Sequence, residues 1–220
     1  MHILTQMNSL AVLALCAALA GCTSVTPVAY SEVASSSYLT PNPSDLSGQT
    51  PYRYAAAVDW RTFDKVLVEP VVIYRGPDQQ FGDMSEEDKI MLAHYMQSRF
   101  TEKLISRFTL ASRPAPNTLR VRLSLTGAAT TTPVLGTLSR FDIAGAAYNG
   151  VQAARDGEGL LTGSVIYTVE IFDAPTSRLL SAFVSKQYPN PYNIGASIGK
   201  LAAAQAGIDK GADALVAQMK

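Results

Sequence analysis

Few side chains in this sequence have the type and spacing for chemistry. Cysteine stands at two positions, Cys16 and Cys22, both within the first 22 of 220 residues. The chain beyond residue 22 therefore holds no thiol, which excludes structural disulfides, thiolate metal sites and cysteine nucleophiles from it. Of the two histidines, His2 and His94, only His94 lies in the body of the chain. A serine nucleophile would need such a base. His94 falls about 200° around its helix from Leu92, opposite the apolar face, and a solvated imidazole accounts for it. Glu86, Glu87 and Asp88 form a carboxylate cluster, but a helix start favours negative charge and explains it. Asp156 and Glu158 flank Gly157, and a calcium ion would need about six to eight oxygens, so a plain turn is the simpler reading. Arg120 and Arg122 alternate along a strand and could meet an anion; a solvated face serves equally. "GASIGKL" at 195–201 has the residue types of a phosphate loop with the wrong spacing, since a Walker loop needs four residues between its glycines and then Lys followed by Ser or Thr. There is no GxGxxG and no HExxH, and no nucleophile elbow is expected. The expectation is no catalytic residue, no metal site and no cofactor.

Charge points the same way. Lys+Arg and Asp+Glu both number 18, so the net charge is zero, and no nucleic acid partner is expected. Residues 9–20, "SLAVLALCAALA", are nearly all apolar. Spanning a bilayer takes about 20 such residues, so this run reads as the apolar core of a secretory signal, with small residues behind it as at a cleavage site. The preceding "MHILTQMN" lacks the usual Lys or Arg. Leu19-Ala20-Gly21-Cys22 resembles the lipobox of bacterial lipoproteins. That resemblance implies cleavage before Cys22, a diacylglycerol on its sulfur and acylation of the new amino terminus. Several acyl chains, at about 0.8 kcal/mol per buried CH₂, hold a protein at a membrane. Thr23, where an Asp would favour the inner membrane, implies the outer membrane by the same resemblance.

The elements behind these residues are legible from periodicity. Residues 1–21 read as the signal peptide. Residues 22–57 read as a flexible Ser/Thr/Pro-rich tether, about 30–35 Å end to end as a coil, with Tyr38, Leu39 and Tyr52 able to dock. Residues 58–220 read as a single periplasm-facing domain. Within it, Val66–Ile73 is an apolar strand interrupted by Pro70. Ser85 caps a helix that carries Leu92, Tyr95, Met96, Phe100 and Leu104 on one face. Residues 117–127 alternate as a half-buried strand with Arg120, Arg122, Ser124 and Thr126 on a wet face. "SVIYTVEIFDAPTSRLLSAFVSKQ" is a hairpin. Asn193 caps a final helix whose apolar face includes Ile208, Ala212, Leu215 and Met219. Residues 128–163, rich in Ala, Gly and Thr, form an insert without clear periodicity. The fold class expected is α+β, a largely antiparallel sheet with two long helices on one face.

The stretches "YLTP" at 38–41, "DWRTFDKVLVEPVVIY" at 59–74, the Ser85-led helix, "LRVRLSLTGA" at 119–128 and "VEIFDAPTSRLLSAFV" at 169–184 resemble a family of uncharacterised Gram-negative bacterial lipoproteins, defined as a domain of unknown function. The likeness runs from about residue 38 to 187. It implies an envelope lipoprotein with no assigned activity and no catalytic residues to carry over. The chain is thus expected to be a non-enzymatic binding or scaffold domain at the outer membrane, with the membrane as partner through a lipid on Cys22. The alternatives are a component of an envelope secretion or transport assembly, meeting a protein partner through 128–163 or the C-terminal helix, and an envelope hydrolase.

Overall fold

The computed structural model describes residues 25–130, 163–190, 193, 196 and 198–220. In chain order the elements are β1 (Thr40–Pro41), β2 (Tyr52–Ala55), β3 (Lys65–Val68), β4 (Val72–Ile73), α1 (Glu86–Ile105), β5 (Thr109–Leu110), β6 (Thr118–Ala129), β7 (Ser164–Asp173), β8 (Leu179–Gln187) and α2 (Ala202–Gln218). The strands form one sheet in the order β1-β2-β8-β7-β6-β3-β5, and β4 also pairs with β6.

The class is α+β, and the sheet is mixed rather than purely antiparallel. β1, β2, β8, β7 and β6 pair antiparallel, whereas β3 runs parallel to β5 and β6 and β4 runs parallel to β6. The cause is α1. A helix between strands carries the chain back along the sheet, so the strands on either side of it point the same way. Pro70 separates β3 from β4, as its missing N–H requires.

The odd-numbered residues of β6, Leu119 to Leu125, join Val165, Tyr167, Val169 and Ile171 of β7 in the main core. Leu92, Met96, Phe100 and Leu104 of α1 and Ile208, Ala212 and Leu215 of α2 belong to the same cluster. Phe100 meets the Tyr167 ring edge-on at 5.5 Å, a geometry aromatic pairs favour. Ser85 caps α1, its Oγ accepting from the Asp88 N–H. α2 begins later than expected. Asn193 Oδ1 accepts from the Ala196 N–H at 3.3 Å, but Gly199 lies at φ 115°, outside helical space, and the regular helix starts at Ala202.

The opposite face of the sheet is covered by the segment expected to be a tether. Tyr30, Val33 and Leu39 are buried there with Ile166, Ala182 and Val184. Tyr30 turns the chain at φ 45°; its hydroxyl donates to Gln80 Oε1 at 2.6 Å and its ring meets Tyr74 edge-on. β2 then pairs with β8 along Tyr52–Ala55. The folded unit therefore starts some thirty residues before 58. The physical reason is apolar content: a Ser/Pro-rich stretch still carries Tyr30, Val33, Leu39, Tyr52 and Tyr54, enough to cover one sheet face.

Gly207 tests how α2 seats on the sheet. A Cβ there would lie 2.8 Å from the Gln187 carbonyl oxygen and 2.9 Å from the Val165 side chain. In a free helix Gly→Ala gains up to about 1 kcal/mol. Here Gly207→Ala is expected to destabilise by about 1–3 kcal/mol through overpacking, read as a lower urea midpoint.

Candidate functional site

Two polar features stand out from the core. The first lies where β4 and β6 approach. Glu69 accepts from Arg120 Nη1 at 3.0 Å and from Arg122 Nε at 2.8 Å. Both guanidiniums stack toward the Phe172 ring, at 4.5 and 5.8 Å. Cross-strand pairing puts Arg120 beside Phe172 and Arg122 beside Glu170. The face expected to be wet is therefore not open. Arg120 and Arg122 are half-buried in ion pairs, and Ser124 and Thr126 are buried. Burial pushes the Glu69 carboxyl up, but Arg122 and Arg120 outweigh it and hold the group below its ordinary 4.5. Glu69 pairs with both arginines, although the buried Arg120 Nε finds no partner among the described residues, and the cluster binds the β3–β4 connection to the sheet.

The second is a cleft of about 510 Å³ along β2. Its floor follows from register: Arg53 pairs with Phe183 and Ala55 with Ser181, so their side chains share the face on which Phe183 joins the main core. α1 packs on β3 and β4, and α2 on β7 and β8, which leaves the cleft beside them. Trp60, Gln218 at the end of α2, and Asn42, Ser44 and Asp45 complete the walls. The 42–50 loop is rigidly tied. Asp45 Oδ1 accepts from Ser47 N–H at 3.2 Å and from Ser47 Oγ at 2.7 Å; Oδ2 accepts from Thr50 N–H at 2.5 Å. Asn42 Nδ2 donates to the Thr50 carbonyl at 2.9 Å.

With both oxygens of Asp45 engaged, the free chemistry of the cleft is the exposed Arg53 guanidinium, which has no ion pair among the described residues, and the flank of Trp60. Those groups suit a ligand with an anionic or acceptor group beside a flat apolar face.

The chain belongs to the family described as "Protein of unknown function (DUF3313)". The family model matches residues 29–215, so its span begins inside the segment packed under the sheet. No curated protein matches the sequence. Among solved structures, a point variant of the PelC dodecamer from Paraburkholderia phytofirmans is 13% identical, with TM-score 0.37, over 74% of this chain and 93% of that one. A second PelC dodecamer from the same organism is also 13% identical, with TM-score 0.36, over 75% and 95% of the two chains.

The DUF3313 domain places the other candidates as follows. His94 is exposed on α1. Glu86 pairs with Arg75 and Lys89, and Asp88 holds the Lys200 ammonium as well as the Ser85 hydroxyl. Among the described residues no group of three or more His, Cys, Asp or Glu side chains could hold a metal. Asp156, Glu158 and Cys22 lie outside the described residues, as does most of 128–163. One pattern escaped the sequence reading: Gly195-Ala196-Ser197-Ile198-Gly199 has the letters of a nucleophile elbow. An elbow needs a tight strand-to-helix turn, and here β8 ends at Gln187 and α2 starts only at Ala202; Ser197 itself lies outside the described residues. The cleft was missed because Arg53, Trp60 and Gln218 come together only through the pairing of β2 with β8.

Two outcomes follow. A carboxylate depressed in the folded state contributes stability above its unfolded value and loses it as pH falls through the folded one. The wild type should lose stability progressively below about pH 4.5. Glu69→Gln should be less stable at pH 7 by about 1–2 kcal/mol and show a shallower acid loss; urea titrations from pH 7 to 3 measure both. Trp60 is the sole tryptophan, so its emission reports on the cleft. An envelope extract that shifts this emission in the wild type should leave Arg53→Glu unchanged, with folding stability within about 0.5 kcal/mol. Equal shifts in both would remove Arg53 from the site.

Proposed function

We propose that this DUF3313 protein is a lipoprotein of the Gram-negative cell envelope, held at the outer membrane through acylated Cys22, and that its domain acts as a binding or scaffold module rather than an enzyme. The observation that carries the reading is Leu19-Ala20-Gly21-Cys22, at the end of an apolar run and three residues ahead of Val25, where the described structure begins. The cleft with Arg53 and Trp60 supports a binding role. Among the described residues no helix is long and apolar enough to cross a membrane.

The assembly reading is favoured by one observation. Ile90, Met91 and Ile105 of α1 are about half exposed, at 47%, 47% and 50%. Ile90 and Met91 are adjacent, while Ile105 lies about 20 Å further along the helix, so a contact would have to run along α1. The large apolar residues Ile208 and Leu215 of α2, in contrast, are buried in the core. A protein partner would on this reading meet α1.

The deciding experiment is processing of Cys22. Full-length protein should fractionate with the outer membrane, and its mature N-terminal peptide should carry acyl chains by mass spectrometry. Cys22→Ala should leave an unprocessed or soluble product. Membrane fractionation of Cys22→Ala unchanged from wild type would overturn the anchor.

A further inference from the structure

We propose that one end of the sheet, the end at which the N-terminal segment leaves the domain, is a bilayer-contacting surface in which Leu46 and Val25 sit among lipid headgroups. The proposal rests on acylation of Cys22, and it adds a distance and an orientation that acylation alone does not give.

The strand directions define this end. β6 runs toward Ala129, β7 starts at Ser164 opposite it, and β8 finishes at Gln187 opposite Val165. The N-terminal segment is fixed at the same place. The Val25 carbonyl accepts from Lys186 Nζ at 2.9 Å, and the Thr26 carbonyl accepts from Gln80 Nε2 at 2.8 Å. Three residue steps separate Val25 from Cys22, a reach of at most about 11 Å. A lipid on Cys22 therefore brings this end to the membrane surface; a coil of some 35 residues would have let the domain stand clear.

The same end presents a built apolar tip. The 42–50 loop is tied down by Lys186 N–H donating to the Gln49 carbonyl at 2.9 Å and by the Tyr188 hydroxyl donating to the Ser47 carbonyl at 3.2 Å. Asp45 locks the loop from within, as described above. Between these ties Leu46 is 98% exposed, and Val25 is 41% exposed. Lys186 anchors both Val25 and Gln49, so the exit of the chain and the Leu46 loop hang from one residue. A rigid loop that holds a leucine wholly in water has no use for it within the fold; a headgroup region gives it one.

The tip of the contact is apolar. Basic groups near the helix starts are already paired, Lys200 with Asp88 and Arg75 and Lys89 with Glu86, Lys186 is turned inward onto Val25, and the exposed Arg53 lies beside the 42–50 loop, where an anionic headgroup could meet it. The opposite end, the turn at Asp173–Arg178, lies a full β6 length away, about 35–40 Å for 12 residues.

The test uses full-length acylated protein in vesicles of phosphatidylethanolamine and phosphatidylglycerol, 3:1 in a chosen mixture of roughly that ratio, containing a headgroup-nitroxide lipid. Leu46→Cys and Thr176→Cys, both at exposed positions, are each labelled with a fluorophore, and thermal unfolding confirms that the labelled proteins fold. Quenching at position 46 should exceed that at 176 several-fold. Equal quenching at both positions, on protein whose Cys22 is shown by mass to be acylated, overturns the orientation alone. An unmodified Cys22 overturns the orientation together with the reading it rests on.

Discussion

Glu170, 1% exposed in the middle of β7, places a constraint that the rest of the fold has to meet. A carboxylate taken out of water costs several kcal/mol unless its oxygens find partners. On β6, Arg122 lies directly across the ladder and feels its charge. A direct partner comes from 135 residues away, where the Ser35 backbone N–H donates to Glu170 Oε1 at 2.5 Å. Arg122 in turn is shared with Glu69, which draws in the β3–β4 connection. The N-terminal segment is thus the other half of a polar core, and the apolar contacts of Tyr30, Val33 and Leu39 seal it.

That arrangement fixes the geometry of the whole molecule. One sheet face carries the helices' core cluster and the other carries a covering segment whose first residues lead directly to Cys22. The sheet's outermost strands, β1 and β5, are two residues each, and β1 contains Pro41. Short edges of this kind resist edge-to-edge pairing.

The parts of this fold that were legible in the sequence are those encoded locally. Ser85 announces its helix by a side chain three residues from the amide it caps, and the β7–β8 hairpin by strict alternation around a turn. Pro70 breaks the first strand where a missing N–H must. What was not legible depends on residues distant in sequence. The parallel pairing of β3 with β6 is a consequence of where α1 returns the chain. Arg120 and Arg122 look solvated until Glu69 is brought over them. The segment before residue 58 has the composition of a linker, and only Glu170 and the sheet face beneath it turn that composition into structure. The cleft is hidden for the same reason, since Arg53 and Trp60 acquire neighbours only when β2 joins β8.

The central claim is that residues 26–41 are part of the folded domain and not a tether. Native-state hydrogen exchange of the amides in this segment tests it most directly, because local opening and global unfolding are resolved by their free energies. Protection of the Ser35 and Leu39 amides that approaches the protection of the β6 and β7 amides is the result predicted. Exchange of these amides at the rate of an unstructured chain, with β6 and β7 still protected, would contradict it.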